Sequence, residues 1–212
     1  MRIGLLGATG GSGEALLSLA CEAGHDVRVV ARRPDAVQVP KGASVRVASG
    51  DATDPAALGS GLDGCEVVVN LVGVSGLLAA RRGTTVYSRS VAALVAAAPR
   101  AGFSRVVLVT SGGVVDQPDD GWFYTHVLKR HFLEPTYRDM RLAERSLQDS
   151  DLGWTIVRPG YLTGDKQRTD YRVSIDAPLA KDGSLSRWSL AHAILQRALS
   201  DEALGHTLAV AT

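Results

Sequence analysis

The sequence predicts an α/β fold built on a doubly wound parallel sheet, and three observations predict it. Short, β-branched apolar runs alternate with longer amphipathic stretches along the chain. The runs are apolar on both faces, as strands covered by helices on both sides must be. A glycine-rich turn joins the first run to the first amphipathic stretch. The 212 residues are expected to form a single domain, 1–212, with no linker, repeat or low-complexity stretch and little chain to spare for a second.

Each element has its own signal. Arg2 to Leu6 reads as a buried strand stopping at Gly7. Glu14 to Ala23 carries Leu16, Leu19, Ala20 and Ala23 at helical spacing, and Gly24 supplies the stop. Val27 to Ala31 is the second strand, closed by Arg32-Arg33-Pro34, and Ser44 to Ala48 the third. Thr53 or Asp54 can cap a short helix with Pro55 at its first position. Glu66 to Val72 is the fourth strand, Thr85 to Ala98 a helix, and Arg105 to Thr110 the fifth strand. Phe123 to Leu133 has helical spacing, Pro135 interrupts it, and a second helix runs to about Asp149. Trp154 to Val157 is the sixth strand. In the less regular tail, Arg172 to Ile175 reads as a short strand, Ser189 to Leu199 as a helix and Thr207 to Ala211 as a final strand.

Composition narrows the function. A net charge of +1 argues against a polybasic nucleic-acid binder. No run approaches the roughly 20 apolar residues that span a bilayer. Met1 to Leu5 leads straight into a strand and a glycine loop, without the layout of a secretory leader. Cys21 and Cys65 stand alone, which disfavours a disulfide framework or a zinc site. The expectation is a cytoplasmic protein, monomeric or homodimeric, acting on a small molecule, with no nucleic acid, membrane or metal involved.

The strongest motif is Gly7-Ala8-Thr9-Gly10-Gly11-Ser12-Gly13, placed between strand and helix. A pyrophosphate needs bare backbone N–H groups and a helix N-terminus aimed at it. Gly7 permits the tight turn, Gly10 the close backbone approach and Gly13 the packing of helix on strand. The other reading is a merely flexible turn. At the end of the second strand an NAD site places Asp or Glu for the ribose 2′-hydroxyl, whereas this chain has Arg32 and Arg33. Two guanidinium groups suit a 2′-phosphate, so NADP(H) is expected, with NAD possible. One of the pair can equally be a solvated surface charge. Asp51, beside Ala52, either meets an adenine amino group or is an ordinary turn aspartate. Asn70-Leu71-Val72-Gly73 is expected to run under the cofactor's ribose, unless Asn70 is a satisfied strand-end amide.

These residues resemble the short-chain dehydrogenase/reductase superfamily, in its atypical NAD(P)H-binding branch. The resemblance rests on Gly7 to Gly13, Gly50-Asp51-Ala52-Thr53-Asp54, Val109-Thr110-Ser111 and Leu152 to Gly160, with a looser match at Leu185 to Ala191. Gly164-Asp165 and Tyr171-Arg172-Val173 look most like the flavin reductase and biliverdin-IXβ reductase group within the NmrA-like relatives. The resemblance implies a seven-stranded Rossmann-type sheet of order 3-2-1-4-5-6-7. It implies nicotinamide over the ends of the fourth, fifth and sixth strands, with Thr110, Pro159 and Gly160 along it and Arg158 either structural or near the substrate.

The superfamily's catalytic Tyr-xxx-Lys is absent. Lys129 follows Tyr124 at plus five, and Tyr137 is followed at plus four by Arg141, which cannot give up its proton but can supply positive charge. Ser111 stands where the superfamily orients its substrate; a turn hydroxyl is the alternative. Two chemistries stay open. In one, hydride passes to a conjugated acceptor, such as a flavin, quinone or linear tetrapyrrole, that needs no protein acid. In the other, Tyr124 or His126 serves as a displaced acid. Trp122, Phe123 and Tyr161 are candidate walls for a flat substrate, and segments 73–83, 112–137 and 161–186 are expected to build its pocket. A non-catalytic NADP sensor, and more remotely a redox-neutral isomerase or epimerase, are the competing functions.

Overall fold

The computed structural model describes residues 1–74, 81–115, 133–164, 170–179 and 183–212. Its strands are β1 (Arg2–Leu6), β2 (Asp26–Ala31), β3 (Val45–Ser49), β4 (Val67–Asn70), β5 (Arg105–Val109), β6 (Gly153–Pro159), β7 (Tyr161–Thr163), β8 (Arg172–Ile175), β9 (Ser184–Ser186) and β10 (His206–Ala211). Its α-helices are α1 (Gly11–Glu22), α2 (Pro55–Gly61), α3 (Val86–Ala101), α4 (Glu134–Gln148) and α5 (Arg187–Ala193), the last continuing as a π-helical turn over Ile194–Ala198.

The main sheet has the order β3-β2-β1-β4-β5-β6-β10-β8. Its first seven strands are parallel, so the expected order holds with β10 in the seventh place. β8 adds an antiparallel edge against β10 that the expected order did not contain. β7 and β9 form a separate parallel pair, also unforeseen, because three-residue strands leave no periodic signal.

Alternation along the strands splits the core in two. Ile3 and Leu5 face α1 and α5, joined by Leu16, Leu190, Leu208 and Val210. Leu6, Val106 and Leu108 face the other layer, with Leu58, Val91, Leu94, Met140 and Leu147 from α2, α3 and α4. The sheet is therefore a doubly wound Rossmann-type sheet, buried on both sides.

The helix boundaries differ instructively from the sequence reading. α2 begins as expected, with the Asp54 carboxylate accepting from Ala56 N–H at 2.9 Å and Pro55 in the first turn. α3 runs past the expected stop to Ala101, carrying Pro99 in its last turn before Gly102. Its burial against α2 and α4 outweighs the local penalty of a proline near the helix end. α4 begins at Glu134 with Pro135 in its first turn, where a missing N–H costs nothing. Among the described residues no helix is long and apolar enough to cross a membrane.

Candidate functional site

A cleft of about 670 Å³ opens at the carboxyl ends of β1, β2, β3, β4 and β5. Its floor is the glycine loop. Gly7 sits at φ +85°, and a Cβ there would stand 2.7 Å from the backbone of Leu71. A Cβ at Gly13 would stand 2.1 Å from the Gly7 carbonyl oxygen, so α1 can approach β1 this closely only with glycine at that position. Gly10 N–H donates to the Gly7 carbonyl at 3.0 Å and closes the turn. No side chain caps α1, which leaves the partial positive charge of its N-terminus facing the cleft. Ala8, Thr9, Gly11 and Ser12 complete this wall.

At one end the cleft is cationic. Arg32 and Arg33 are exposed and line it. Asp51 lies beside them with Ala52. Its Oδ1 accepts from Thr53 N–H and from Thr53 Oγ1, both at 2.8 Å. Those hydrogen bonds, with the charges of Arg32 and Arg89, hold the Asp51 carboxyl below its ordinary range. Arg89, exposed on α3, also lines the cleft. The sequence reading missed it, since an arginine on the outer face of an amphipathic helix carries no signal of its own.

Leu71, Val72 and Gly73 line the cleft, but Asn70 does not. Asn70 Nδ2 donates to Ser90 Oγ at 2.9 Å, and its Oδ1 accepts from Val72 N–H at 3.1 Å. It is a satisfied strand-end amide that shapes the turn its neighbours present. Tyr87, buried at the start of α3, packs so closely on Gly73 that a Cβ there would stand 2.6 Å from the phenol oxygen. Burial pushes the Tyr87 phenol up to about 12. Asp139 of α4 accepts from Tyr87 N–H at 2.9 Å and from the Ser88 hydroxyl, capping α3 from another helix.

Beyond β5 the site is governed by a buried carboxylate. Glu144 of α4 accepts from Thr110 Oγ1 at 2.7 Å, from Arg158 Nε at 3.0 Å and from Arg158 Nη2 at 2.6 Å. Thr110 lines the cleft, while Arg158 lines a second cavity of about 310 Å³. Gly160 also lines that second cavity, and its N–H donates to the Val210 carbonyl at 2.9 Å. Pro159 is buried at the end of β6 and lines neither space.

Several expected contacts lie elsewhere. Ser111 Oγ accepts from Gly113 N–H at 3.3 Å, caps a 3-10 turn over Gly112–Val114 and lines neither cavity. Arg141 donates to the Val114 carbonyl at 3.0 Å and pairs with Glu134, which ties it to α4's own first turn. Tyr161 is 79% exposed on β7 and walls neither cavity. Trp122, Phe123, Tyr124 and His126 lie outside the described residues. Among the described residues no group of three or more His, Cys, Asp or Glu is placed to hold a metal.

Arg187 is a further site residue that sequence reasoning missed. It opens α5, lines the cleft and donates through Nη1 to the Thr163 carbonyl at 2.7 Å. Its position in the looser tail motif Leu185 to Ala191 was the available signal, but only the fold shows that α5 packs on α1 and carries this arginine to the glycine loop.

Comparison with known proteins bears on the family and the fold. Residues 7–201 match the model of a family described as NAD(P)H-binding. The fold is similar to that of a wide-type short-chain dehydrogenase/reductase from Veillonella parvula in complex with NADP, with a TM-score of 0.80, 20% identity, and coverage of 100% of this chain and 94% of that one. It is similar to an anaerobilin reductase from Escherichia coli, with a TM-score of 0.78, 24% identity, and coverage of 100% and 97%. An oxidoreductase from Lactococcus lactis gives a TM-score of 0.79 at 22% identity, with coverage of 100% and 91%. At these identities the likeness is one of fold.

Proposed function

The chain belongs to the NAD(P)H-binding family, and on that premise we propose that it is an NADPH-dependent reductase of a small conjugated acceptor such as a flavin or a quinone. The observation that carries the reading is the pairing of an uncapped α1 N-terminus with two exposed arginines at the end of β2, all on one cleft. The first suits a pyrophosphate and the second a 2′-phosphate. Asp or Glu, which would select NAD, does not occupy the end of β2. Gly7 and Gly13 hold the tight turn that brings the α1 N-terminus to the cleft, since a side chain at either would collide with backbone.

Bound NADPH supplies a hydride, and the chain's own residues bind, orient and shield. Thr110 is fixed by Glu144 beside the inner end of the cleft. Asn70 and Tyr87 brace the turn at Leu71 to Gly73. The Tyr87 phenol, at about 12, is a poor proton donor at neutral pH. Arg141 is occupied by Val114 and Glu134. An acceptor that delocalises charge and takes its proton from water needs no acid from these residues.

A non-catalytic NADP sensor is the second reading, and the missing Tyr-xxx-Lys favours it. Purified protein mixed with NADPH and a panel of flavins, quinones and dyes separates the two. Loss of the reduced-nicotinamide absorbance with any acceptor is expected. Tight NADP binding without turnover across the panel would replace the reductase with the sensor.

A further inference from the structure

The second cavity has a chemistry of its own. β10 presents two unlike faces to its surroundings. Leu208 and Val210 belong to the core on the α1 side. Thr207, Ala209 and Ala211 alternate with them and line the cavity, which Val210 also reaches; of these Thr207 and Ala209 are partly exposed and Ala211 is buried. The small side chains of Thr207 and Ala209 leave a strip on which a flat ring system can lie. Arg158, opposite Ala209 in the β6–β10 register, stands beside this strip.

Arg158 is half spoken for. Glu144 takes its Nε and Nη2. Its Nη1 has no hydrogen-bond partner among the described residues. Glu144 is 5% exposed at its side chain, so the guanidinium is held in one orientation by a buried bidentate contact. The pair is neutral overall, which disfavours a strongly anionic ligand but leaves fixed N–H donors for a carbonyl oxygen.

The cavity also adjoins the cofactor cleft. Thr110 lines the cleft and Gly112 the cavity; Leu162 lines the cleft and Gly160 the cavity. The exits of β5 and β6 thus form the partition, and Glu144 bonds a residue on each side of it.

We propose that this cavity is the acceptor site, that it takes planar conjugated carbonyl compounds of the quinone class, and that Arg158 Nη1 donates to the carbonyl oxygen. The proposal rests on the reductase reading and narrows it. When the acceptor's conjugated carbon gains the hydride, the cofactor is oxidised, and an electron pair moves onto the carbonyl oxygen, which then takes a proton from water. A preoriented guanidinium at that oxygen stabilises the charge as it develops.

The test compares two ligands of one shape, 2-(hydroxymethyl)anthraquinone and 2-(hydroxymethyl)anthracene, titrated calorimetrically into the full chain with and without saturating NADP. Wild type is expected to bind the quinone about tenfold more tightly, as one charged hydrogen bond implies. The double variant Glu144→Gln/Arg158→Gln removes both charges together, so neither is left buried alone, and it should bind the two ligands alike. Ala209→Leu fills the strip and should weaken both ligands by about tenfold while leaving NADP affinity unchanged. Equal binding of the two ligands by wild type, or quinone binding by Ala209→Leu at wild-type strength, overturns the proposal, even if the double variant fails to fold. Failure of NADP to bind would instead strike the cofactor reading, and the nucleotide-free titrations would still judge the cavity.

Discussion

The Arg187 side chain lies directly across Gly11. A Cβ built on Gly11 would stand 2.7 Å from Arg187 Cδ and 3.1 Å from its Nε. This glycine makes room for the arginine, which lies over the glycine-loop end of the cleft. Gly11→Ala should displace Arg187, whose flexible side chain can yield, and should cost less stability than a clash with backbone. Arg187→Ala should weaken NADPH and NADH alike, by about tenfold if one charged hydrogen bond is lost. Combining the two should add little, because both remove the same contact. Fluorescence titration of both nucleotides on the four proteins checks this.

Arg32 is expected to bear on cofactor choice in a different way. It stands at the end of β2 and not at the glycine loop, so it should sense only the 2′-phosphate. Arg32→Glu is expected to weaken NADPH by at least about tenfold and NADH far less. Equal losses for the two nucleotides would remove Arg32 as the phosphate reader.

Asp139 couples two helices through a cap. Its carboxylate accepts from Tyr87 N–H at 2.9 Å and from the Ser88 hydroxyl, at the N-terminus of α3. Asp139→Ala should lower stability by about 1–2 kcal/mol, the range for loss of a helix cap. The urea midpoint reports it. Because Tyr87 packs on Gly73, nucleotide affinity should fall in the same variant.

Tyr87 gives the fold an alkaline limit. Its phenol is raised from an ordinary value of 10.0 to about 12, so the fold favours the neutral form. That contribution is complete below about pH 10 and is lost as pH rises toward 12. Wild type should therefore lose stability over this interval faster than Tyr87→Phe, measured by urea midpoints at matched pH. Parallel curves for the two proteins would show that Tyr87 ionises as it does in water.

The sheet was legible because its strands declare themselves locally. Val67 to Asn70 and Arg105 to Val109 are apolar runs whose residue types leave few alternatives. Gly7 and Gly13 were legible for a related reason, since a backbone demand is met by one residue type. The side chains that finish the site were less so. Arg89 and Arg187 reach the cleft from α3 and α5, and Asp139 caps a helix that begins more than fifty residues earlier, with partners separated by 52 positions. Such contacts depend on how layers pack, which spacing within one segment does not encode. Ser111 and Asn70 show the converse. Each residue type suited a direct role, yet hydrogen bonds to Gly113 N–H, in one case, and to Ser90 and Val72 N–H, in the other, engage it in a turn.

β10 separates two properties that usually trade against each other. Leu208, buried in the core, answers to the melting point, while Thr207 and Ala209, partly exposed at the cavity, answer to the shape of what lies on them. Changes at alternate positions can then be selected independently. Under the acceptor-site proposal, adding or trimming a methyl group on one face of a single strand would reshape the cavity while leaving Leu208 in the core undisturbed.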